Sequence, residues 1–563
     1  MIRFPFILLF RKDMRLPVSV FMFMLLFCAC NRHGNNDDEL KIILIDSVSI
    51  NKVYVSNNGS VEGVDFNRVE IQIRFNREID TTSFNSEKLY FSGGIASAYS
   101  VKFDNSLSLM RIVPDNKAEP LKKYIMSLDV GKNLGGFFNE GYNCTFTTRM
   151  DTLPKFPLIS DDSLLTLVQK QTFSYFWDYG HPVSGLARER LGSGDVVTSG
   201  GSGFGLMAIL VGIERNFITR TEGFGRLSKI VNFLNAASTD KFHGAFPHWL
   251  NGSSGKVYPF SSKDDGGDLV ETAFLVQGLL AVNEYFRDGS IAEKAMCDTI
   301  QKIWKNVEWD WYRRDNQNKL YWHWSPNYGW YMNMTVSGWN EALIVYVLAA
   351  ASPTHSIPKI VYDEGWARKG SYPMLNGKSF YGIPLPLGYD YGGPLFFAHY
   401  SFLGLDPRNL SDQYANYWDQ NVSHSRINYE YCKANPKHYA GYSDKCWGLT
   451  ASDIPNGYSA SSPTNDLGVI APTAALSSFP YTPAESMAAL KHFYYILGDR
   501  LWSYHGFHDA FMLSSGWFAD SYIAIDQGPI VCMIENYRTG FLWDLFMANS
   551  DVQYGLSKLG FTY

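Results

Sequence analysis

Cysteine is scarce in this chain, and the arrangements in which it usually binds metals are absent. Only 7 of the 563 residues are Cys, and no Cys-x-x-Cys pair occurs, which argues against a thiolate zinc site. No His-Glu-x-x-His sequence is present, and His243, His248 and His323 are not spaced as metal ligands. Cys432 and Cys446 flank a loop-like stretch and could either pair or remain free thiols. The sequence therefore predicts no metal site.

Clusters of positive charge are also missing from the part of the chain that is predicted to fold. The formal net charge is −6 at pH 7, which argues against nucleic acid as a partner. The Gly-x-Ser-x-Gly motif of serine hydrolases, the phosphate-binding Gly-x-x-x-x-Gly-Lys-[Ser/Thr] loop and a Gly-x-Gly-x-x-Gly sequence before a helix are all absent. These absences leave no sign of a nucleotide or of any other cofactor.

The first 30 residues have the pattern of a secretory leader. Basic residues precede the apolar run Leu16–Phe27, which is too short for a comfortable membrane span. Leu26-Phe-Cys-Ala-Cys30 resembles a lipobox, so Cys30 is the predicted lipidation site, and residues 31–40 would form a tether. A plain cleaved signal peptide is the alternative. The prediction is an exported lipoprotein at the periplasmic or outer-membrane surface of a Gram-negative bacterium, anchored to the membrane by its lipid.

Residues 41–150 have the pattern of a small β domain. Short runs of alternating or β-branched residues are separated by Gly, Asn, Asp and Pro, which is typical of a β-sandwich. The segment Ile71–Asp80 is similar to a signature of bacterial Ig-like domains. Residues 151–159 would then be a linker, and no catalytic motif stands out before it.

Residues 160–563 are predicted to be helical, with outer helices that carry a charged face alternating with inner helices that are apolar on nearly every side. Six of each, in alternation, indicate an (α/α)6 barrel, in which all inner helices begin on one face. The loops that lead into the inner helices are long and rich in Gly, aromatics and acids, which marks this face as functional. The predicted helices cover residues 161–179, 202–215, 224–237, 268–286, 290–308, 337–350, 356–368, 393–404, 410–430, 465–477, 482–497 and 528–547.

Carboxylates stand at the start of three of the inner helices. Asp264, Asp268 and Glu271 introduce one helix, Glu341 introduces the next, and Asp526 introduces the last. Taken singly, each could be structural: Asp268 and Glu271 have the spacing of a capping box, and acids in a first turn suit the helix dipole. Their convergence on one predicted face instead favours an active site built from carboxylates.

Paired carboxylates suit glycoside hydrolysis, in which one protonates the leaving oxygen and the other activates water or attacks carbon. The same loops contain aromatic rings that can stack on sugars and arginines that can bind hydroxyls. Rim packing is the alternative for the aromatics, and surface salt bridges are the alternative for the arginines. The candidate substrate-binding residues are Arg188, Arg190, Trp322, Trp324, Trp330 and Trp339.

Several segments of the helical part resemble the glucoamylase-like domain of exported bacterial proteins, and more specifically glycoside hydrolase family 144. The resemblance implies an (α/α)6 fold and an endo-acting, inverting β-1,2-glucanase that releases sophorooligosaccharides and needs no metal or other cofactor. It also implies functional acids at the five positions named above, with Glu341 as the hypothetical general acid and Asp526 as the general base. The other three acids would then hold water and substrate hydroxyls. The matching segments are Thr172–Asp178, Gly185–Arg190, Val197–Met207, Asp264–Glu271, Gly338–Glu341 and Asp526–Pro529.

Three other functions remain open at this point. The barrel could act on another glucan or carry out transglycosylation, and a polysaccharide lyase is a different enzyme class on similar toroids. A catalytically dead, glycan-binding surface lipoprotein is the non-enzymatic alternative. In each case the expected partner is a β-glucan or related saccharide, and the expected state is a monomer.

Overall fold

The structure is a computed structural model that describes residues 41–93 and 99–563. The predicted signal peptide, the tether and Cys30 lie outside the described residues. Among the residues that are described, no helix is long and apolar enough to cross a membrane.

The N-terminal part consists of two antiparallel-rich sheets around a core of their own. A five-stranded sheet has the order β2-β1-β4-β7-β6, and a four-stranded sheet has the order β3-β11-β8-β5, in which only β3 and β11 run parallel. A hairpin of β9 and β10 completes this region. The strands are β1 Ile45–Ile50, β2 Val53–Val55, β3 Gly59–Val64, β4 Ile71–Phe75, β5 Leu89–Ser92, β6 Tyr99–Phe103, β7 Leu109–Pro114, β8 Lys123–Leu128, β9 Gly131–Asn133, β10 Gly136–Phe138 and β11 Tyr142–Thr148.

Alternation along the strands explains the core of this part. In β4 every second side chain, Ile71, Ile73 and Phe75, is buried, while Arg74 between them is exposed. Successive side chains of a strand point to opposite faces, so an alternating pattern buries one face of the sheet. The sequence signal for strands at this point is therefore confirmed.

The rest of the chain is predominantly helical, as the sequence predicted. The helices are α1 Asp161–Trp177, α2 Ser199–Glu214, α3 Arg220–Asn235, α4 Leu269–Phe286, α5 Ile291–Lys305, α6 Leu343–Ala351, α7 Lys359–Val361, α8 Tyr417–Ala434, α9 Pro472–Leu476, α10 Pro483–Lys491, α11 Gly498–Leu501, α12 Ala524–Arg538, α13 Phe541–Met547 and α14 Ser550–Leu559. The helices α7 and α10 each continue into a π-helical turn, over Tyr362–Trp366 and His492–Ile496.

The apolar helices form the interior of this region. All nine residues of α6 and sixteen of the eighteen in α4 are buried. A helix that is apolar on every side is expected to be buried on every side. Helix α2 packs against α4 and α12, α4 packs against α6, and α12 packs against α9. The amphipathic helices α3, α5 and α14 cover these from outside with one buried face each.

Every short hairpin of the helical region lies in a segment that leads into one of these interior elements. The segments that leave the interior helices are shorter, such as residues 287–290 after α4. This gathers the hairpins at one end of the interior layer. The strands are β12 Val196–Thr198, β13 Trp249–Asn251, β14 Val257–Tyr258, β15 Gly267–Asp268, β16 Leu320–Tyr321, β17 His323–Trp324, β18 Thr335–Val336, β19 Leu375–Phe380, β20 Ile383–Leu387, β21 Ala451–Ile454, β22 Gly457–Ala460, β23 Trp502–Ser503, β24 Gly506–Phe507, β25 Phe511–Met512 and β26 Trp517–Phe518.

Three predicted helices differ from the observed structure near their starts. The segment predicted as 337–350 is helical only from Leu343, because a small strand and a turn occupy residues 335–342. The segment 393–404 forms two 3₁₀ turns, Leu395–Ala398 and Tyr400–Leu403, directly after two glycines in the left-handed region. The segment 465–477 is helical only over α9, because the helix begins at Pro472 and proline is favoured at the first position of a helix.

The C-terminal part contains two further differences. The helix predicted as 528–547 is split by Gly540, whose φ of 75° is left-handed and ends α12 before α13 begins. Helix α14 was not predicted at all, although Asn549 caps its start by accepting N–H bonds from Asp551 and Val552. The pairing of Cys432 with Cys446 that the sequence left open is absent, and both are buried free thiols.

Candidate active site

A cavity of about 510 Å³ lies where the hairpin-bearing loops meet the starts of the interior helices. Its polar wall is formed by Glu189, Arg190, His248, Glu271 and Glu341. Aromatic rings make up much of the remaining wall, so the cavity combines flat apolar surfaces with convergent charged groups, as sugar sites do. The aromatic residues are Trp249, Phe260, Phe274, Trp322, Phe396, Tyr400 and Tyr458.

The start of α4 confirms one half of the predicted capping box. Asp268 is the N-cap, and its Oδ1 accepts the N–H groups of Val270 and Glu271 at 3.0 and 2.9 Å. Glu271 does not return a bond to the cap, so the box is not reciprocal. Its Oε2 instead accepts the Gly200 N–H at 2.8 Å and the Thr198 hydroxyl at 3.3 Å. Glu271 therefore binds the first turn of α2 and also faces the cavity.

Two histidines surround the second oxygen of Asp268. His248 Nδ1 lies 2.9 Å from Asp268 Oδ2, and the indole N–H of Trp322 donates to the same oxygen at 3.2 Å. His323 Nδ1 lies 3.3 Å from Asp264 Oδ2 and 3.7 Å from Asp268 Oδ2. Asp264 and Asp268 are both buried and are not part of the cavity wall. The two acids thus hold both histidines, of which His248 forms part of the cavity wall.

Electrostatics at this cluster favours charged histidines. Burial opposes protonation of His248, but the charges of Glu271 and Asp268 raise its pKa to about 9. Burial would raise the pKa of Asp268, yet the hydrogen bond from His248 and the charge of His323 leave it lowered. Burial raises the pKa of Glu271, although His248 opposes that shift. In the described part of the chain, no group of three or more His, Cys, Asp or Glu side chains is arranged to hold a metal ion.

Glu341 is a half-buried residue whose carboxyl group forms part of the cavity wall. It precedes α6, whose N-cap is Ala342, so it does not cap that helix. Its backbone carbonyl accepts a hydrogen bond from the Ser401 hydroxyl, which fixes the main chain at this point. Burial raises the pKa of Glu341 to about 7, and the nearby Glu271 and Asp268 charges add to that rise. A carboxyl group that is protonated near neutral pH suits a proton donor.

A chain of charged groups leads from the cavity to Asp526. Arg190 donates from Nε to both oxygens of Glu189 and from Nη1 to Asp453 at 3.0 and 3.3 Å. The backbone N–H of Asp453 donates to Asp509 Oδ2 at 2.7 Å. Asp526 is close enough to Asp509 for the charge of that carboxylate to raise the Asp526 pKa. Arg190 thus pairs with Glu189 in the cavity wall and with Asp453 outside it.

Asp526 lies in the first turn of α12 and is 2% exposed. Neither of its carboxyl oxygens has a partner among the hydrogen bonds of the structure, so it is not engaged in helix capping. Ile523 and Ile525 on either side form part of the cavity wall, whereas Asp526 itself does not. Burial and the charge of Asp509 hold the pKa of Asp526 well above its usual range.

The predicted substrate-binding residues divide into two groups. Trp322 and Arg190 face the cavity. Arg188 does not, because its guanidinium donates to the carbonyls of Gly194 and Tyr179 and stacks on the Tyr179 ring. The Arg188 guanidinium holds a loop in this structure, and its contact with substrate stays a prediction.

Three predicted tryptophans are also absent from the cavity wall. Trp339 is 1% exposed and packs against Phe402 and Tyr417, which leaves no face for a sugar. Trp330 stacks on Trp311 with ring centroids 4.8 Å apart, and Trp324 meets the same ring edge-on at 5.2 Å. These three residues fit the rim-packing alternative, since their rings are used by neighbouring aromatics.

Several residues of the site were missed by the sequence reasoning. Glu189, His248, Asp453, Asp509 and Tyr458 all belong to the cavity or to the charged chain behind it. Each lies in a long loop that had already been assigned to the functional face, or beside one of its arginines. Loop membership was thus the available signal, but nothing in the sequence distinguishes these polar residues from others in the same loops.

We expect stability to depend on pH through His248. Because its pKa is raised above the unfolded value of about 6.5, its contribution is complete below pH 6.5 and is lost as pH rises through about 9. The His248→Asn variant should therefore be destabilised at pH 6 by at most about 3 kcal/mol, and the deficit should shrink by pH 9. Urea unfolding at both pH values measures it. His355→Asn, in the partly exposed pair with Asp310, is the control and should show little change. A deficit for His248→Asn that does not vary with pH would contradict the assignment.

Comparison with known proteins identifies the family of this chain. The family described as "Putative glucoamylase" matches residues 333–550. A protein of Parabacteroides distasonis named exo beta-1,2-glucooligosaccharide sophorohydrolase (non-reducing end) is 46% identical over 421 residues. That match covers 71% of this chain and 58% of the relative, so the chain spans less than two thirds of that protein.

Two solved structures extend the comparison. The endo-beta-1,2-glucanase of Chitinophaga pinensis, in complex with sophorotriose and glucose, has a TM-score of 0.70 and 54% identity, covering 72% of this chain and 99% of its own. A beta-1,2-glucanase of Parabacteroides distasonis has a TM-score of 0.70 and 38% identity, covering 92% of this chain and 74% of its own. The helical fold and the carboxylate-lined cavity define a glycoside hydrolase. The chain belongs to the glucoamylase-like glycoside hydrolases of the family 144 type.

Proposed function

We propose that this protein is an exported, endo-acting and inverting glycoside hydrolase that cleaves linear β-1,2-glucan to sophorooligosaccharides. The observation that carries the proposal is the cavity in which Glu341, with its pKa raised to about 7, faces an aromatic wall and the buried Glu271 of α4. The names of the relatives support β-1,2-glucan as the substrate. The glucan is thus the proposed partner.

In the proposed reaction Glu341 donates a proton to the leaving glycosidic oxygen, and Asp526 serves as the general base for water. Inversion requires an acid and a base on opposite sides of the bond, with room for water beside the base. Glu271 would contact substrate or water directly, because it faces the cavity. Asp264 and Asp268 would act through His323 and His248, which they bind.

A helical barrel, a spacer domain and a lipid anchor are also proposed. The ring of interior and exterior helices is proposed to be an (α/α)6 barrel over residues 160–563. The two sheets of residues 41–150 are proposed to be an Ig-like spacer, joined to it by the linker 151–159. The leader would end at Cys30, whose lipid would anchor a monomer at the periplasmic or outer-membrane surface of a Gram-negative bacterium.

Product analysis on linear β-1,2-glucan tests the proposal. We expect a mixture of sophorooligosaccharides of several lengths from the first minutes, because an endo enzyme cuts within the chain. Mass spectrometry of a time course measures this, and NMR of the new reducing ends should show the α-anomer first. Release of sophorose alone from the outset would indicate exo action. Initial β-anomer would contradict inversion.

A panel of other linear glucans separates the alternatives. Turnover of another glucan in preference to β-1,2-glucan would change the proposed substrate but not the proposed glycoside hydrolase activity. Products with an ultraviolet-absorbing unsaturated sugar would indicate a lyase. Binding of β-1,2-glucan without any product would support the glycan-binding alternative.

A further inference from the structure

An aromatic surface continues from the cavity wall onto the small sheet of β12, β13 and β14. The register of this sheet places Thr198 opposite Trp249, and Trp249 opposite Tyr258. Residues that lie opposite each other in neighbouring strands share one face of a sheet, so the three side chains form a row. Val197 and Leu250, which come next to them along the strands, are fully buried on the other face. The row therefore lies on the face that is turned away from the hydrophobic core.

One end of the row lies in the cavity wall, and the other end lies in solvent. Thr198 is buried, and its hydroxyl donates to Glu271 Oε2 at 3.3 Å. Trp249 is part of the cavity wall, whereas Tyr258 is not part of it and is 48% exposed. Neighbouring strands are about 4.8 Å apart, so the backbone of Tyr258 is about 10 Å from that of Thr198. The row thus leads from a candidate catalytic acid out of the cavity.

Phe260 adds a further ring beside this row. It belongs to the cavity wall, yet it is as exposed as Tyr258. The ring centroids of Trp249 and Phe260 are 4.9 Å apart with the planes inclined at 62°, and those of Trp249 and Tyr258 are 6.3 Å apart at 54°. The rings therefore form a curved apolar surface rather than a single stack. Exposed apolar surface that adjoins a cavity is typical of a binding site.

Hydrogen bonds fix the backbone that carries the two exposed rings. The N–H of Val257, directly before Tyr258, donates to Asp240 Oδ2 at 2.9 Å. The N–H of Phe260 donates to the carbonyl of Asp264 at 3.0 Å, which joins this ring to the acid cluster before α4. A surface that is ordered before its ligand arrives loses less conformational entropy on binding.

We propose that Trp249, Tyr258 and Phe260 form a platform that binds glucosyl residues of the β-1,2-glucan chain where it leaves the cavity. The inference deepens the proposed function, on which it rests. Aromatic faces bind the apolar faces of sugar rings, while the sugar hydroxyls stay in water. Only a chain that reaches from the scissile bond to Tyr258 gains this contact. The platform therefore favours long chains over short oligosaccharides.

A second copy of the chain is the other occupant that an exposed aromatic surface could have. A protein seated on the platform would cover part of the cavity wall, because Trp249 and Phe260 belong to both. Static light scattering at low and high protein concentration tests this occupant. We expect the same monomer mass for wild type and for Tyr258→Ala. A wild-type dimer that Tyr258→Ala dissociates would overturn the platform as a glucan site.

The dependence of turnover on chain length tests the platform directly. On long linear β-1,2-glucan, Tyr258→Ala should lower kcat/KM about fivefold, which corresponds to the loss of one aromatic ring contact. The loss should appear in KM rather than in kcat, because the contact is the same in the ground state and the transition state. On the shortest sophorooligosaccharide that wild type cleaves, the loss should be less than about twofold. Tyr258→Phe, which keeps the ring, should recover most of the loss on long glucan.

Tyr554→Ala is the matched control for this measurement. Tyr554 is 60% exposed on the outer helix α14 and is not part of the cavity wall, so its kcat/KM should equal that of wild type on both substrates. Phe260→Ala is a second variant of the platform and should show the same preference for loss on long glucan. Equal losses on long and short substrates, or no loss on either, would overturn the platform while leaving the proposed function intact.

Binding without cleavage separates the platform from catalysis. Calorimetric titration of long β-1,2-glucan into the Glu341→Gln protein gives a Kd, and addition of Tyr258→Ala should raise that Kd about fivefold. An unchanged Kd in the double variant would overturn the platform. A wild-type protein that neither binds nor cleaves β-1,2-glucan would contradict the proposed function and the platform together.

Discussion

The Glu341→Gln variant should turn over linear β-1,2-glucan about a thousand times more slowly than wild type, which is within the usual contribution of a general acid. Glutamine keeps the size of the side chain and its place on the cavity wall, but it has no proton to give to the leaving oxygen. Because the change removes an interaction needed only in the transition state, kcat should fall while KM stays close to its wild-type value. Steady-state kinetics with purified full-length protein measures both constants.

The same carboxyl group determines how wild-type activity depends on pH. The pKa of Glu341 is raised to about 7, so the acid is protonated below that value and loses its proton as pH rises above it. Glu308→Gln makes the same change at a partly exposed glutamate that pairs with His243, and it should leave kcat unchanged. A Glu341→Gln enzyme that retained near-wild-type kcat would remove Glu341 from the role of proton donor.

The sequence predicted the parts of the fold that depend on hydrophobic pattern. Helices such as α4 and α6 are apolar on every side, and only burial on every side satisfies such a surface. The alternation in β4 similarly required one buried face. Where a local backbone feature decided the outcome, the prediction was wrong: the left-handed Gly540 splits the predicted last helix, and the two glycines before Leu395 replace a helix with 3₁₀ turns.

The site was predictable as a location but only in part as a set of residues. Glu271, Glu341, Trp322 and Arg190 face the cavity as expected. Trp339 was misplaced because a tryptophan beside a candidate acid has the same sequence pattern whether it faces a ligand or the core. The contact of Asp453 with Asp509 joins two separate loops, and that of His248 with Asp268 joins residues 20 positions apart, so no local spacing reveals either.

The position of Glu271 depends on an unusually close approach of α2 to α4. A Cβ atom added to Gly203 would lie 2.1 Å from the carbonyl oxygen of Phe274, and one added to Gly278 would lie 2.2 Å from that of Gly203. The two backbones are therefore in direct contact. This contact brings the first turn of α2 to Glu271, whose carboxylate accepts the N–H of Gly200. Gly203, which lies in one of the segments that resemble the family, thus has a steric reason.

The Gly278→Ala variant is expected to destabilise the helical region by about 3 kcal/mol or more, at the upper end of the cost of overpacking a core. The clash is with backbone atoms of α2, which cannot rotate away as a side chain can, so the two helices must separate. Separation would also draw Gly200 away from Glu271, and kcat should fall together with Tm. Calorimetry and the β-1,2-glucan assay measure the two effects on one preparation.

Gly225→Ala is the matched control for that substitution. Gly225 lies within α3, and a Cβ added there has no atom within 4 Å. Alanine in an open helical position should stabilise the protein by about 0.5–1 kcal/mol, because glycine loses more backbone entropy on folding. The same substitution should therefore stabilise the protein at Gly225 and destabilise it at Gly278. A Gly278→Ala protein as stable as wild type would show that the helices can move apart at little cost, and that their close contact does not hold Glu271 in place.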